Sequence, residues 1–259
     1  MKVLFIGDIV GKPGRKALRQ GLPALVNKFK LDFVIANVEN AAGGFGITKS
    51  VGEEILSLGV HVMTSGNHIW DKKEAVSYIP KENCLLRPAN YPDGVVGSGN
   101  IVLNTSSGEK IAVLNLSGRV FMNPLDCPFK TAERELPALK EQTNVIIVDF
   151  HAEATSEKSA FGLFLDGQVS AVIGTHTHVQ TADEKILPGG TAFITDVGMT
   201  GPADSIIGVK KEQIIEKFLT QMPKRFEIAK HDPVLSCVLL EINSETGKSS
   251  SIKRLQISY

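Results

Sequence analysis

Short apolar runs that stop on polar residues set the rhythm of this chain. Val3–Ile6 ends at Gly7-Asp8, Phe33–Val38 at Glu39-Asn40, and Val60–Thr64 at Ser65-Gly66-Asn67-His68. Asn144–Asp149 leads into Phe150-His151, and Val169–Ile173 into Gly174-Thr175-His176-Thr177-His178. Compact runs rich in Val and Ile read as buried parallel strands. Between them, apolar residues recur at helical spacing. A helix is expected over Arg15–Phe29, opened by Pro13 and interrupted at Pro23. Another spans Thr48–Leu58, capped by Thr48, with Val51, Ile55 and Leu58 on one face. Further helices are expected over Asp71–Tyr78, Thr131–Leu139 with a kink at Pro137, Ser156–Leu165, and Lys211–Leu219 with Ile214, Ile215 and Phe218 buried.

The rhythm changes in two places. Ile101–Leu103 and Ile111–Leu116 flank a Ser-Ser-Gly turn and read as a hairpin, so the sheet is mixed. Thr191–Thr195 adds a strand, and Val234–Ile242 with Ile252–Ile257 gives an antiparallel pair near the end. No repeat, low-complexity tract or long linker divides the 259 residues, which a single α/β domain can accommodate.

Ligands collect at the carboxyl ends of strands in open α/β sheets. Five such ends here carry Asp8, Glu39-Asn40, Asn67-His68, His151 and His176-x-His178. If the last pair leaves a strand in extended form, both rings share a face and converge. Two imidazoles so placed indicate metal, although His-x-His pairs also occur on solvated strands. His61, inside a strand, reads as a packing or surface histidine, and His231 as part of a turn. Asp196 is kept as a residue bordering the site. Gly7 to Lys12 invites a phosphate-loop reading, but the spacing is one residue short and Pro13 stands where a hydroxyl is needed.

Composition narrows the partners. Lys+Arg and Asp+Glu both number 28, which argues against binding by coating a nucleic-acid backbone. The brief apolar N-terminus is neither a signal peptide nor a membrane span, so a cytoplasmic location is expected. Cys84, Cys127 and Cys237 lack CxxC spacing and suit reduced thiols that are buried or partly buried.

The ordered set Gly7-Asp8, Glu39-Asn40, Gly66-Asn67-His68, His151 and Gly174-Thr175-His176-Thr177-His178 resembles the calcineurin-like metallophosphoesterase signature, in its bacterial YmdB-like 2′,3′-cyclic-nucleotide phosphodiesterase branch. Asn40–Gly46, Ala152–Lys158 and Asp196–Pro202 extend the resemblance over most of the chain. Two departures from the superfamily pattern stand out: Val10 occupies a usual histidine position, and Glu39 replaces the usual bridging aspartate.

The resemblance implies a four-layered αββα sandwich of two mixed β-sheets flanked by helices. It implies two divalent metal ions, with iron favoured and manganese able to substitute. Asp8, Asn40 and His178 would hold one ion, Asn67, His151 and His176 the other, and Glu39 would bridge them. His68 would donate a proton to the leaving group. The implied reaction opens the 2′ ester of 2′,3′-cyclic nucleotides by attack of a hydroxide bridging the metals, with other phosphodiesters as further substrates. Arg119 and the Gly43–Gly46 loop are candidate substrate contacts. A homo-oligomer is compatible with the resemblance. Two rivals stand beside this reading: a broad phosphomonoesterase on the same metals, and a metal-binding regulatory protein acting through a partner.

Overall fold

The computed structural model describes residues 1–259. In chain order the elements are β1 (Lys2–Ile6), α1 (Gly11–Phe29), β2 (Phe33–Asn37), α2 (Lys49–Ser57), β3 (Val62–Thr64) and α3 (Ala75–Tyr78), the last followed by a 3₁₀ turn, Ile79–Lys81. Then come β4 (Asn100–Asn104), β5 (Lys110–Ser117), α4 (Pro128–Lys140), β6 (Ile146–His151), α5 (Thr155–Phe164) and β7 (Ala171–Thr175). The chain closes with β8 (Lys185–Ile186), β9 (Ala192–Ile194), β10 (Gly201–Pro202), α6 (Lys211–Thr220), β11 (Pro233–Ile242) and β12 (Ser249–Ser258).

These strands form two mixed sheets. The first runs β10-β11-β1-β2-β3, with β12 also paired to β11, and the second runs β4-β5-β6-β7-β9-β8. In the first, β1, β2 and β3 are parallel and β11 is antiparallel to β1. In the second, β5, β6, β7 and β9 are parallel, and β4 forms the expected antiparallel hairpin with β5.

Period-two alternation separates three apolar layers. Val3, Phe5, Phe33 and Ile35 pack between the sheets against Ile147, Ala171 and Ile173. Their neighbours Leu4, Ile6, Val34 and Ala36 face the other way, onto Leu18 and Leu22 of α1 and Ile55 of α2. Likewise Leu114, Val148 and Val172 turn outward onto Leu136 of α4 and Phe161 of α5. The result is the αββα sandwich. Strands covered on both faces account for their continuous apolar composition.

Several local expectations are corrected. Helix α1 begins at Gly11 and runs unbroken through Pro23, and α4 begins at Pro128, ahead of the expected Thr131, with Pro137 inside it. Pro23 and Pro137 are on exposed helix faces, where a carbonyl that loses its partner can turn to water. Thr48 occupies the N-cap position of α2, but its hydroxyl makes no cap bond and instead lies 3.4 Å from that of Ser50. Residues 71–74 form turns, and only Ala75–Tyr78 is helical. In α6 Ile214 is buried, whereas Ile215 and Phe218 are 50% and 74% exposed. Periodicity identified an apolar face there, but not whether another element covers it. No helix is long and apolar enough to cross a membrane.

Candidate metal centre

The carboxyl ends of β1, β2 and β3 in one sheet meet those of β6 and β7 in the other. Asp8 and Glu39 are buried, each two residues past the end of its strand, and His151 is the last residue of β6. Two groups of candidate ligands emerge, each with its donor atoms within 4.8 Å of one another: Glu39, His151 and His176, and Asp8, Glu39 and His178. Glu39 belongs to both.

The first group is tightly drawn. His151 Nε2 lies 3.2 Å from Glu39 Oε2, 3.1 Å from Asn67 Oδ1 and 3.0 Å from His176 Nδ1. Its orientation comes from behind: His151 Nδ1 lies 2.9 Å from Thr175 Oγ1, and that hydroxyl donates to Asp149 Oδ1 at 2.7 Å. With the hydroxyl proton directed to Asp149, the hydroxyl accepts from Nδ1–H, so Nε2 is the nitrogen that would turn a lone pair to a metal once its proton is lost. Asp149 also accepts from Asn37 Nδ2 and the Thr64 hydroxyl. Gly66 makes room for the ring, because a Cβ there would lie 2.2 Å from His151 Nε2.

At Asp8, and at Asn40 next to Glu39 in the chain, two buried oxygens lack a hydrogen-bond partner, Asp8 Oδ1 and Asn40 Oδ1. Asn40 spends its amide nitrogen on Gly44 O at 3.1 Å, and Asp8 Oδ2 accepts the His176 N–H at 3.3 Å. Unpaired buried polar atoms are costly and rare in folded proteins. A cation would satisfy both. His178 Nδ1 donates to Ile207 O at 3.0 Å, so its Nε2 is the free nitrogen. The donor set of carboxylate, amide oxygen and imidazole, without thiolate, suits divalent transition metals. The residues present therefore fit a metal pair.

Charge is finely partitioned here. Burial lifts the Asp8 carboxyl above its ordinary range against the pull of His178 and His151. Burial also acts to raise Glu39, but His151 and His68 outweigh it and hold that carboxyl low. Burial would lower His151, yet Glu39, Asp8 and Asp149 push it up to about 9. Burial and the adjacent His151 drive His176 down to about 3, so its ring is neutral. Asp149, above all through burial, rises to about 7.

The histidine pair does not leave its strand in extended form. β7 ends at Thr175, and His176 and His178 have φ of 99° and 67°, so the segment is not extended. The two rings are separated by a left-handed turn and enter different ligand groups. Asp196 borders this turn, and its partner was invisible in the sequence. Lys158, 1% exposed, donates to Asp196 Oδ2 and to Thr175 O, both at 2.7 Å. Asp196 in turn accepts the Thr177 and Gly198 N–H groups.

A cavity of about 350 Å³ opens over Glu39, Asn40, His68, His176 and His178. Phe45, Val209, Phe226 and Ile228 give it an apolar wall. Gly44 and Phe45 bring the Gly43–Gly46 loop to the cavity, but Arg119 does not line it. The Arg119 guanidinium instead donates to Cys127 Sγ, and its backbone N–H to Glu157. His68 reaches the cavity with Nδ1 2.8 Å from Asp71 Oδ2, and its backbone N–H donates to Glu39 Oε2 at 3.1 Å. Asp71 and Glu153, whose Oε2 lies 3.1 Å from His176 Nε2, were missed. Only their positions three residues after His68 and two after His151 hinted at these contacts. His61 lies away from the centre, stacked on Phe33 and accepting the Val34 N–H through Nδ1.

A family model described as YmdB-like protein matches residues 4–255. The 2′,3′-cyclic-nucleotide 2′-phosphodiesterase of Bacillus subtilis (strain 168) is 48% identical over 258 residues, covering 100% of this chain and 97% of that protein. Two crystal structures align with a TM-score of 0.93 across 100% of this chain. One is a hypothetical protein from Thermus thermophilus, 41% identical with 99% of its chain covered. The other is a novel phosphatase from Mycoplasma pneumoniae, 37% identical with 93% covered.

Proposed function

We propose that this chain, which belongs to the YmdB-like family, is a dinuclear-metal phosphodiesterase that opens the 2′ ester of 2′,3′-cyclic nucleotides, with residues 1–259 forming one metallophosphoesterase domain. The observation that carries the reading is the sharing of Glu39 by two ligand groups at the floor of a cavity with an apolar wall. Its similarity to the Bacillus subtilis phosphodiesterase supports the choice of substrate. Asp8, Asn40 and His178 would hold one ion, Asn67, His151 and His176 the other, with Glu39 between. Iron is the favoured metal and manganese an effective substitute.

Two bound divalent ions supply the positive charge that acidifies a water and neutralises charge growing on the phosphoryl oxygens. The protein's residues set the rest. His68 is held at Nδ1 by Asp71, leaving Nε2 to deliver a proton to the departing O2′. Breaking P–O2′ while water supplies the new P–O bond leaves a 3′-phosphomonoester. The wall formed by Phe45, Val209, Phe226 and Ile228 gives the base an apolar face to rest on.

The test is a substrate panel with metal-loaded protein. Adenosine 2′,3′-cyclic phosphate should be hydrolysed at least about tenfold more efficiently than phosphomonoesters, yielding adenosine 3′-phosphate. A clear monoester preference would favour the phosphatase reading, and 2′-phosphate as product would refute the 2′-ester assignment.

A further inference from the structure

Beside the candidate metal centre lies a second recess, of about 510 Å³, lined by Gly11, Lys12, Lys16, Gly43 and Lys230 among others. No acidic residue lines it. Lys12, Lys16 and Lys230 take part in none of the chain's seven lysine ion pairs. Glu227, near Lys230, is itself paired with Lys210. In a chain with 28 basic and 28 acidic residues, three ammonium groups without an ion-pair partner around one recess that no acidic residue lines are a local excess.

The recess adjoins the cavity over the metal centre. Ile228 lines both, and Gly11 and Gly44 pack closely against it: a Cβ at Gly44 would lie 2.4 Å from Ile228 Cδ1, and one at Gly11 3.3 Å from Cγ2. The N–H groups of Gly11 and Gly44 both donate to Asn40 O, at 2.9 and 3.1 Å. A candidate metal ligand thus holds the partition between the two spaces.

Substrate chemistry fixes what can reach across. In a 2′,3′-cyclic nucleotide O2′ and O3′ are both bonded to the phosphorus at the centre, so a further phosphate can extend only from O5′. Ammonium groups on flexible stems bind phosphate as point charges. From this we infer that the lysine recess is a second phosphate subsite, and that the substrate class is RNA fragments ending in a 2′,3′-cyclic phosphate. The subsite receives the phosphate that links the terminal nucleotide to its neighbour. This inference rests on the phosphodiesterase reading above and adds a substrate to it. The reaction is unchanged: water adds to phosphorus, P–O2′ breaks, O2′ takes the proton, and the fragment ends in a 3′-phosphate.

The experiment compares kcat/KM of metal-loaded wild type and Lys12→Ala/Lys16→Ala/Lys230→Ala on three substrates. These are adenosine 2′,3′-cyclic phosphate, its 5′-phosphorylated form, and the dinucleotide ApA with a 2′,3′-cyclic end. Wild type should prefer both 5′-extended substrates by about tenfold, mainly through KM, with the preference shrinking as salt rises. The variant should lose that preference and keep wild-type activity on the unextended nucleotide. A preference for the 5′-phosphorylated mononucleotide alone would overturn the RNA-end assignment. No preference in wild type, or one that survives in the variant, would overturn the subsite. Failure of wild type to hydrolyse any of the three would instead count against the phosphodiesterase reading. Anisotropy of fluorescein-labelled ApA 3′-phosphate reads the subsite without turnover: the variant should bind about tenfold more weakly, and equal affinity would refute the proposal.

Discussion

His68 and His151 sit a few ångströms from the same carboxylate, Glu39, yet their surroundings give them different work. His151 is fully buried, backed by Thr175 and Asp149, and presents Nε2 to three other donors. His68 is partly exposed and fixed by Asp71 at the cavity edge. His68→Ala should therefore lower kcat by about 10²–10³ while two metal equivalents remain bound. Loss of metal in that variant would make His68 a ligand. His151 also predicts a proton count. Its folded pKa of about 9 keeps the metal-free ring protonated at pH 7.5, so an incoming ion must expel that proton. Metal affinity should rise with pH towards about 9, while His176, already neutral at its pKa of about 3, contributes no such dependence. Calorimetry in buffers of different ionisation enthalpy should show protons released on metal binding at pH 7.5, and no release would contradict the assigned state of His151.

At the scale of elements, the residues at strand ends were legible because each closes an apolar run: Asp8, Glu39, Asn67 and His151 stand where a buried strand gives way to a loop. The supporting residues were not, because their partners are fixed by packing between distant segments. Lys158 reads in sequence as one more charge on helix α5, yet its ammonium is buried beneath the Gly174–His178 turn and pairs with Asp196. Asn115, a polar residue within β5, bonds Ser65 through both ends of its side-chain amide and so ties β5 to the turn carrying Asn67. The geometry of the histidine pair is hidden in the sequence for a related reason, since an apolar run shows that a strand exists but not the residue at which extended backbone stops. Lys158→Met would leave the Asp196 carboxylate buried without its counter-charge. Urea denaturation of the metal-free protein should show a loss of about 3–5 kcal/mol. A loss below about 1 kcal/mol would show that the pair does not brace the turn.

At the scale of the molecule, alternation along the strands was enough to point to buried sheets, and the family signature to the four layers. What no single segment could show was that the centre lies across the seam between the sheets. Asp8, Glu39, Asn40 and Asn67 follow strands of the first sheet, and His151, His176 and His178 belong to or follow strands of the second. Bound metal would therefore link the two halves of the sandwich as well as serve the reaction. At an ion concentration of about 100 Kd, one site should add about 2.7 kcal/mol to folding stability, or about 5–10 °C in Tm. Melting with manganese and with a chelator checks this, and coincident curves would show that the ions do not bridge the sheets.

The central claim is that Glu39 joins two distinct metal sites, each with its own histidine from the Gly174–His178 turn. Metal content measured on wild type, His176→Ala, His178→Ala and Glu39→Gln, each equilibrated with manganese at a concentration that just fills both sites of wild type, tests it most directly. The expected result is two equivalents in wild type, one in each histidine variant, and weakened binding at both sites in Glu39→Gln. A single equivalent in wild type, or both ions lost together from either histidine variant, would contradict it.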